Sequence, residues 1–315
     1  MSEFSQISQW PADTVAGALL HQGEVAETVG DTAREFPVAS VTKLVAAYGV
    51  MLAVEEGAVE LKQPTGPEGS TLEHLLAHAS GISFDSREPQ KPVGERRIYS
   101  SAGYEWAADT VAEATGMDFA EYLREGILTP LSMKSTRLEG SAGHGLVSTV
   151  EDLAAFAAEV QDPQLLHPST VADMRRVHFN GLRGIVPGYG SFKDCTWGLG
   201  FEIRGDKEHW MGSLPADAVG HSACPAPTSG SPATMPWLRS QTATLASGAS
   251  PSGTIQTPPS GTLCNLPAVA ERAPSTGGSG AVEGSPVGRG EAGEFRAKGV
   301  HPARETGICA WAAVA

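Results

Sequence analysis

The stretch SVTKLVAAYGVMLAVEE, residues 40–56, decides the fold. It begins with a hydroxyl residue followed by a lysine three positions later, and it is almost wholly apolar from Leu44 to Val54. Because apolar residues fall on every side of a helix here, we predict a central helix that is buried all round. The apolar run is too short to cross a bilayer, which needs about 20 residues.

The start of this predicted helix carries a possible reaction centre, Ser40-Val41-Thr42-Lys43. Three positions are close to one helical turn, so the Lys43 amine and the Ser40 hydroxyl share a face. Burial lowers the pKa of a lysine, which can then help to take the serine proton. The helix N-terminus also favours negative charge near Ser40. A Ser-x-x-Lys pattern arises by chance about once in a chain of this length, so it needs support from other motifs.

Further motifs follow in order along the chain. The segment IYSSAGYEWAA places Tyr99 in a loop just before a predicted helix, where a tyrosine could relay protons between nucleophile and leaving group. The other segments are LLAHASGI (75–82), TPLSMKST (129–136), HGLVSTVEDLAAFA (144–157) and WGLGF (197–201).

This ordered set resembles the serine β-lactamase-related family, which comprises class C β-lactamases, low-molecular-weight penicillin-binding proteins and related esterases. The resemblance covers about residues 12–221. It implies an α/β (α+β) fold, an α/β/α sandwich in which helices flank an antiparallel sheet. It also implies that Ser40 is the nucleophile, Lys43 its base partner and Tyr99 a second proton-transfer residue. The implied chemistry requires no cofactor.

Two more positions are implied to bind substrate. Ser101 stands where the family usually has Asn, and serine makes fewer hydrogen bonds than asparagine. The family's third motif is a strand with Lys or His, a variable residue and Gly, which supplies part of the oxyanion hole. ADAVGH reaches His221 where this motif is expected, but alanine stands in the glycine position at Ala223. Pro225 then follows where the strand should continue, and proline argues against a central strand.

Apolar periodicity and turn residues place the remaining elements. His78 is expected to be structural, His209 to be a surface or satisfied core residue, and Trp197 to belong to the core. The predicted elements are strands at 13–21 and 23–29 joined at Gly23, helices at 105–114, 119–128 and 151–160, and a hairpin of 196–203 with the stretch near His209, turning at Gly205-Asp206.

The formal net charge of −14 is unevenly distributed. The segment after His221 has six Lys/Arg and five Glu, which leaves 16 basic and 31 acidic side chains in residues 1–221. This acidity argues against a nucleic-acid partner and gives no hint of a membrane partner. The N-terminal residues show no secretory signal, and the four cysteines have neither zinc spacing nor a paired framework. We therefore expect a cytoplasmic protein that binds no metal.

The composition changes after His221. Residues 222–315 contain no Asp or Tyr, one Lys and one Phe, and abundant Gly, Pro, Ala, Ser and Thr. Such a segment cannot bury enough apolar surface to offset its chain entropy. We predict an incomplete hydrolase domain at 1–221, with its C-terminal strands missing, and a low-complexity, disordered tail at 222–315.

Our hypothesis is that a one-base deletion, real or introduced in sequencing, shifted the reading frame at about codon 222. One base inserted after the His221 codon makes SACPAPTSGS (222–231) compatible with FGLSGTYLWV, which restores His-Phe-Gly and the strand after it. The same frame gives residues 233–248 the apolar run and turn of a further strand. The alternative is a native tail on a divergent domain.

The sequence thus favours a serine hydrolase that forms an acyl-enzyme with a small-molecule ester or amide. The alternative is a catalytically inactive, truncated or frameshifted member that serves as a pseudoenzyme or scaffold. The altered third motif and Ser101 favour this alternative. The two interpretations of residues 222–315, a frameshift product or a native tail, have different consequences for the activity of this chain.

Resequencing the gene across the codons for Gly220 to Cys224 tests the frameshift. We expect an extra base there, because the out-of-frame match begins where the third motif fails. An unchanged sequence would contradict the frameshift and establish the tail as part of the protein.

Overall fold

The computed structural model describes residues 14–187, 189–212 and 214–223, together with the backbone of two short segments at 245–246 and 308–314. The predicted disorder of 222–315 and the out-of-frame strand at 233–248 lie outside the described residues, apart from 222–223 and these two segments. Within the part of the chain that is described, no helix is long and apolar enough to span a membrane.

The first sheet begins with the hairpin that the sequence predicts. Strand β1 (Thr14–His21) pairs antiparallel with β2 (Glu24–Val29). Gln22 and Gly23 both have positive φ, 53° and 80°, which is the backbone of the tight turns that match strand twist. Every second residue of β1 from Ala16 to Leu20 is buried, so one face of the strand packs on the core.

Two later strands, β10 (Leu245–Ala246) and β11 (Ile308–Val314), extend this sheet in the order β10-β11-β1-β2. Strand β11 pairs with β1, and β10 pairs with β11. Both pairings are parallel, so the sheet is mixed. The antiparallel arrangement implied by the family resemblance holds for β1 and β2 and differs at β11.

The remaining strands form small antiparallel sheets. Strands β3 (Phe36–Pro37), β5 (Leu146–Ser148) and β4 (Arg137–Leu138) make one sheet in the order β3-β5-β4. The other two sheets pair β6 (Gly184–Val186) with β7 (Gly190–Phe192), and β8 (Glu202–Ile203) with β9 (Val219–Gly220).

The predicted hairpin around Gly205 is wrong in its second strand. Strand β8 pairs with β9, not with the stretch near His209. The intervening loop has its own apolar cluster around Trp210 and Met211, and the buried His209 places Nε2 3.1 Å from a Glu202 carboxylate oxygen. The stretch near His209 is therefore ordered by its buried side chains and not by the strand pairing that the sequence pattern predicted.

The helices predicted at 40–56, 105–114, 119–128 and 151–160 are confirmed. A 3₁₀ turn (Ala39–Val41) leads into α1 (Thr42–Glu55), and eleven of the fourteen α1 residues are buried, as an all-round apolar helix requires. The others are α2 (Leu72–Leu76), α3 (Ala102–Thr115), α4 (Phe119–Leu123) with a π-helical turn (Arg124–Leu128), α5 (Val150–Gln161) and α6 (Pro168–Met174).

A glycine fixes how the WGLGF segment passes α6. A Cβ atom on Gly198 would lie 2.1 Å from the carbonyl oxygen of Met174 and 2.9 Å from that of Arg176. The next amide, of Leu199, donates a hydrogen bond of 2.9 Å to the same Met174 oxygen. The close backbone approach therefore requires glycine at 198.

We expect Gly198→Ala to lower the free energy of unfolding by about 1–3 kcal/mol, because backbone atoms must move to admit the methyl group. The matched control is Gly103→Ala in α3, where a Cβ would meet nothing closer than 3.6 Å. It should be neutral or stabilise by up to about 1 kcal/mol through helix propensity. Chemical denaturation of both variants measures the difference, and equal stabilities would contradict the packing argument.

Candidate active site

The predicted nucleophile Ser40 lies in the 3₁₀ turn at the start of α1, where it is 9 % exposed. The residue before it, Ala39, has a φ of 44°, which is unusual for a residue with a side chain. Thr42 holds this turn in place. Its hydroxyl donates to the Ala39 carbonyl at 2.5 Å and accepts from the Leu146 amide at 2.9 Å, which ties the turn to β5.

Lys43 is fully buried beside Ser40, and its Nζ atom has three acceptors. The distances are 3.4 Å to Ser40 Oγ, 3.1 Å to Ser101 Oγ and 2.6 Å to the Gly143 carbonyl oxygen. Burial lowers the pKa of Lys43 to about 7, and the charge of Glu105 opposes this shift. A large fraction of Lys43 is therefore neutral near pH 7 and can accept a proton.

Gly143 belongs to the site although the sequence did not single it out. A Cβ atom there would lie 2.7 Å from Ser101 Cβ and 2.9 Å from Ser101 Cα, so only glycine lets the 143 carbonyl approach Lys43 beside Ser101. A backbone carbonyl carries no side-chain signature. The available signal was the close spacing of Gly143 and Gly145 on either side of His144, where the HGLVST segment begins.

Tyr99 joins Ser40 to His221. Its hydroxyl lies 3.4 Å from His221 Nε2, and its ring centroid lies 4.6 Å from Lys43 Nζ. Burial raises the pKa of Tyr99 well above its usual range, and a hydrogen bond with Ser40 only partly offsets this. Tyr99 is therefore a protonated phenol at neutral pH and can donate its proton.

The tautomer of His221 follows from its neighbours. Its Nδ1 lies 2.6 Å from the Ser222 carbonyl oxygen, which can only accept, so Nδ1 carries a proton. Burial, with the nearby charge of Lys43, lowers the pKa of His221 to about 4. The ring is thus neutral at neutral pH, and Nε2 has a free lone pair for the Tyr99 hydroxyl.

The structure brings all five predicted site residues together. Ser40 contacts Lys43, Lys43 lies over the Tyr99 ring and Tyr99 contacts His221, and Ser101 joins this chain through Lys43. The Ser101 hydroxyl is an acceptor for Lys43, a contact beyond the substrate binding implied by the resemblance.

Aromatic side chains surround the Tyr99 end of the site. The ring of Trp197 has centroid distances of 5.8 Å to Tyr99, 5.7 Å to His221 and 5.0 Å to His78. His78 Nδ1 accepts a hydrogen bond of 3.1 Å from the Ser100 amide, which fits the structural role expected for it. Among the described residues, no group of three or more His, Cys, Asp or Glu side chains is placed to hold a metal ion.

With this geometry, the chain can be compared with known proteins. The family model described as Beta-lactamase matches residues 31–253, well over half of the chain. The protein therefore belongs to the β-lactamase family, the serine β-lactamase-related family of hydrolases that includes penicillin-binding proteins. The predicted family is confirmed. The matched range runs past the predicted domain boundary at 221.

Solved structures support the fold. The chain is similar to a β-lactamase from Mycobacterium bovis, with 41% identity over 70% of this chain and 83% of that one and a TM-score of 0.67. An octameric penicillin-binding protein homologue from Pyrococcus abyssi shares the fold, with 20% identity, 64% and 62% coverage and a TM-score of 0.53. The predicted fold class is thereby confirmed.

Sequence relatives are more distant. A penicillin-binding protein of Bacillus subtilis is 28% identical over 33% of this chain and 30% of its own length. An uncharacterised protein of Alkalihalophilus pseudofirmus is 28% identical over 37% and 38%. The chain thus spans about a third of the length of these curated relatives.

Proposed function

We propose that this protein is a serine hydrolase that transfers the acyl group of a small ester or amide to Ser40 and then to water. The observation that carries the proposal is the contact of Lys43 Nζ with Ser40 Oγ at 3.4 Å, together with a Lys43 pKa lowered to about 7. A nucleophilic hydroxyl with a base in reach, itself oriented by further groups, is the arrangement that acyl transfer needs.

In the first step, neutral Lys43 takes the Ser40 proton while Oγ forms a bond to the substrate carbonyl carbon. The carbonyl oxygen becomes an oxyanion. Backbone donors near Ser40 and on the strand of the third motif, at His221, stabilise it. The ammonium of Lys43 is then satisfied by the oxygens of Ser101 and Gly143.

In the second step, the leaving oxygen or nitrogen takes the Tyr99 proton as its bond to carbon breaks, which leaves the acyl group on Ser40. The Lys43 ammonium, 4.6 Å from the centroid of the Tyr99 ring, stabilises the phenolate that forms. The proton balance closes when Lys43 releases the proton that it took from Ser40 and Tyr99 takes one up. A water molecule then attacks the acyl carbon with the same groups as acid and base, and free Ser40 returns.

The charge around Tyr99 favours a neutral substrate. His221 is neutral at neutral pH, and the rings of Phe84, His78 and Trp197 make up the other aromatic contacts of Tyr99. Lys43 is engaged by its three acceptors. A site with these contacts gives no fixed positive charge at His221 to pair with a substrate carboxylate, which favours neutral esters and amides over carboxylate-bearing β-lactams or peptides.

The second candidate is a catalytically inactive family member that acts as a binding scaffold. It is favoured by Ala223, which stands in the glycine position of the third motif and is 5 % exposed. A side chain there narrows the space in which a strand backbone would reach the oxyanion. The proposed out-of-frame origin of residues 222–315 leads to the same candidate.

Covalent labelling separates the two candidates. We expect a fluorophosphonate probe to label the intact protein at Ser40, as peptide mass spectrometry would show, and Ser40→Ala to abolish the label. The matched control is Ser191→Ala, at an exposed serine on β7, which should label like the parent. Well-folded protein that takes no label would support the inactive scaffold.

The pH dependence of labelling tests the base. Because the acting form of Lys43 is the neutral amine and its pKa is about 7, the labelling rate should rise with pH through a midpoint near 7. Removing a general base typically costs about 10²- to 10⁴-fold in rate, which we expect for Lys43→Met.

The companion variant is Lys43→Arg. It keeps the positive charge but cannot lose its proton, so it should be as slow as the methionine variant at every pH. Near-parent labelling by Lys43→Arg would show that Lys43 acts through its charge and would refute its role as base.

A further inference from the structure

Three polar side chains, a carboxylate, an amine and an imidazole, are buried together beside the candidate active site. Glu202, Lys207 and His209, here called the Glu202 cluster, are each at most 4 % exposed. Glu202 Oε1 lies 3.0 Å from Lys207 Nζ and 3.1 Å from His209 Nε2. Its other oxygen accepts a hydrogen bond of 2.7 Å from Trp210 Nε1. One carboxylate oxygen thus faces the Lys207 amine and the His209 ring, and the other is fixed by a hydrogen bond.

Stability alone is a poor reason for such a cluster. Taking charges out of water is costly, and apolar side chains of similar volume in place of a buried ion pair often leave a protein as stable or more so. Burial acts to raise the pKa of Glu202, but Lys207 and His209 together hold it well below its usual range. The chain therefore keeps a buried ionised carboxylate, and its neighbours indicate what it does.

Lys207 connects the cluster to the active site through its contact with Trp197. Lys207 Nζ donates a hydrogen bond of 2.8 Å to the Thr196 carbonyl and lies 5.5 Å from the ring centroid of Trp197. At this distance a cation is attracted to the face of an indole ring. The same ring also contacts Tyr99, at 5.8 Å, and His221, at 5.7 Å.

The backbone of Glu202 provides a second connection. It pairs with Gly220 in the β8–β9 ladder, one residue before His221, and forms an isolated bridge with Trp197. One residue therefore fixes the strand that presents His221 and, through Lys207, the ring that packs against Tyr99. Both routes converge on the Tyr99–His221 contact.

We propose that the Glu202 cluster is a positioning device that holds Trp197 against Tyr99 and His221 and so keeps the Tyr99 hydroxyl in place for acyl transfer. The inference rests on the proposed hydrolase function. Glu202, Lys207 and His209 are positioning residues, because they act through Trp197 and the β8–β9 ladder. Since a displacement of about 1 Å can cost about 100-fold in rate, small movements of this ring matter.

The test removes the charges of Glu202 and Lys207 and keeps the volumes of their side chains nearly constant. In the intact chain carrying both Glu202→Gln and Lys207→Met, turnover of the neutral ester p-nitrophenyl acetate is measured per active site titrated with a fluorophosphonate. We expect kcat per titrated site to fall about ten-fold or more with KM nearly unchanged. A merely structural role would lower the titrated fraction and leave kcat per site as it is.

The matched control is Glu159→Gln. Glu159 is also a buried carboxylate, but it accepts from the Tyr48 hydroxyl at 2.6 Å and from the amides of Gln164 and Leu165. These partners are not part of the site. This variant should lower the thermal midpoint and leave kcat per titrated site unchanged.

A double-mutant cycle with Trp197→Phe tests the route. The charge-free pair is the variant that carries both Glu202→Gln and Lys207→Met. If the cluster acts through Trp197, adding Trp197→Phe to this pair should lower kcat per titrated site no further than the worse of Trp197→Phe alone and the charge-free pair alone. Fully multiplied losses, or an unchanged kcat per titrated site in the charge-free pair, overturn the inference. If that pair does not fold, Glu202→Gln alone is put through the same comparison with the same criteria.

The outcomes also separate this inference from the function on which it rests. Parent protein that neither labels at Ser40 nor hydrolyses the ester refutes the proposed function and the positioning role with it. Parent protein that reacts, beside a charge-free variant that reacts equally fast per site, refutes the positioning role alone.

Discussion

The burial of the Lys43 amine is the constraint on which the rest of the site depends. A cation out of water is costly unless every donor finds an acceptor, and Lys43 Nζ has three, drawn from three separate parts of the chain. Ser40 comes from the turn before α1, Ser101 from the start of α3 and Gly143 from the loop before β5. The amine can be neutral or charged without a large rearrangement, because the Ser40 hydroxyl can accept from the ammonium or donate to the lone pair of the neutral amine. The apolar surface of α1 supplies the burial that lowers its pKa.

This constraint explains features that otherwise look unfavourable. Ala39 accepts a left-handed backbone because the Thr42 hydroxyl bridges the Ala39 carbonyl and the Leu146 amide, and a regular helix start would break that bridge. Residue 143 must be glycine, because a Cβ atom there would collide with Ser101 and keep the carbonyl from Lys43. Strain of this kind persists where the surrounding contacts over-determine it, and such places are often reactive sites.

The elements that the sequence predicted are those stabilised by local patterns. The apolar run of residues 40–56 and the turn at Gly23 each determine their structure within a few residues. Helices α2 and α6 have only five and seven residues, too few to show a clear period. The prediction for the loop before β9 is wrong because the Glu202 contacts with Lys207, His209 and Trp210 order that loop, and no periodicity reveals them. The five site residues were identified through motif resemblance, whereas Gly143 takes part only through a backbone oxygen.

The two halves of the site are therefore supported differently. Ser40 lies in the 3₁₀ turn that leads into α1, and Lys43 lies three positions later in the first turn of α1, so one short stretch of backbone brings them together. Tyr99 and His221 are 122 positions apart and meet only through tertiary contacts. The ladder that presents His221 pairs just two residues on each strand, and so short a pairing restrains register weakly. Side-chain contacts must supply the remaining restraint, and those of Trp197 and the Glu202 cluster are in the right place to do so. The Glu202 cluster, buried at some cost to stability, therefore restrains Tyr99 and His221 across 122 positions of sequence. Ser40 and Lys43 need no such device, because local backbone geometry already restrains them.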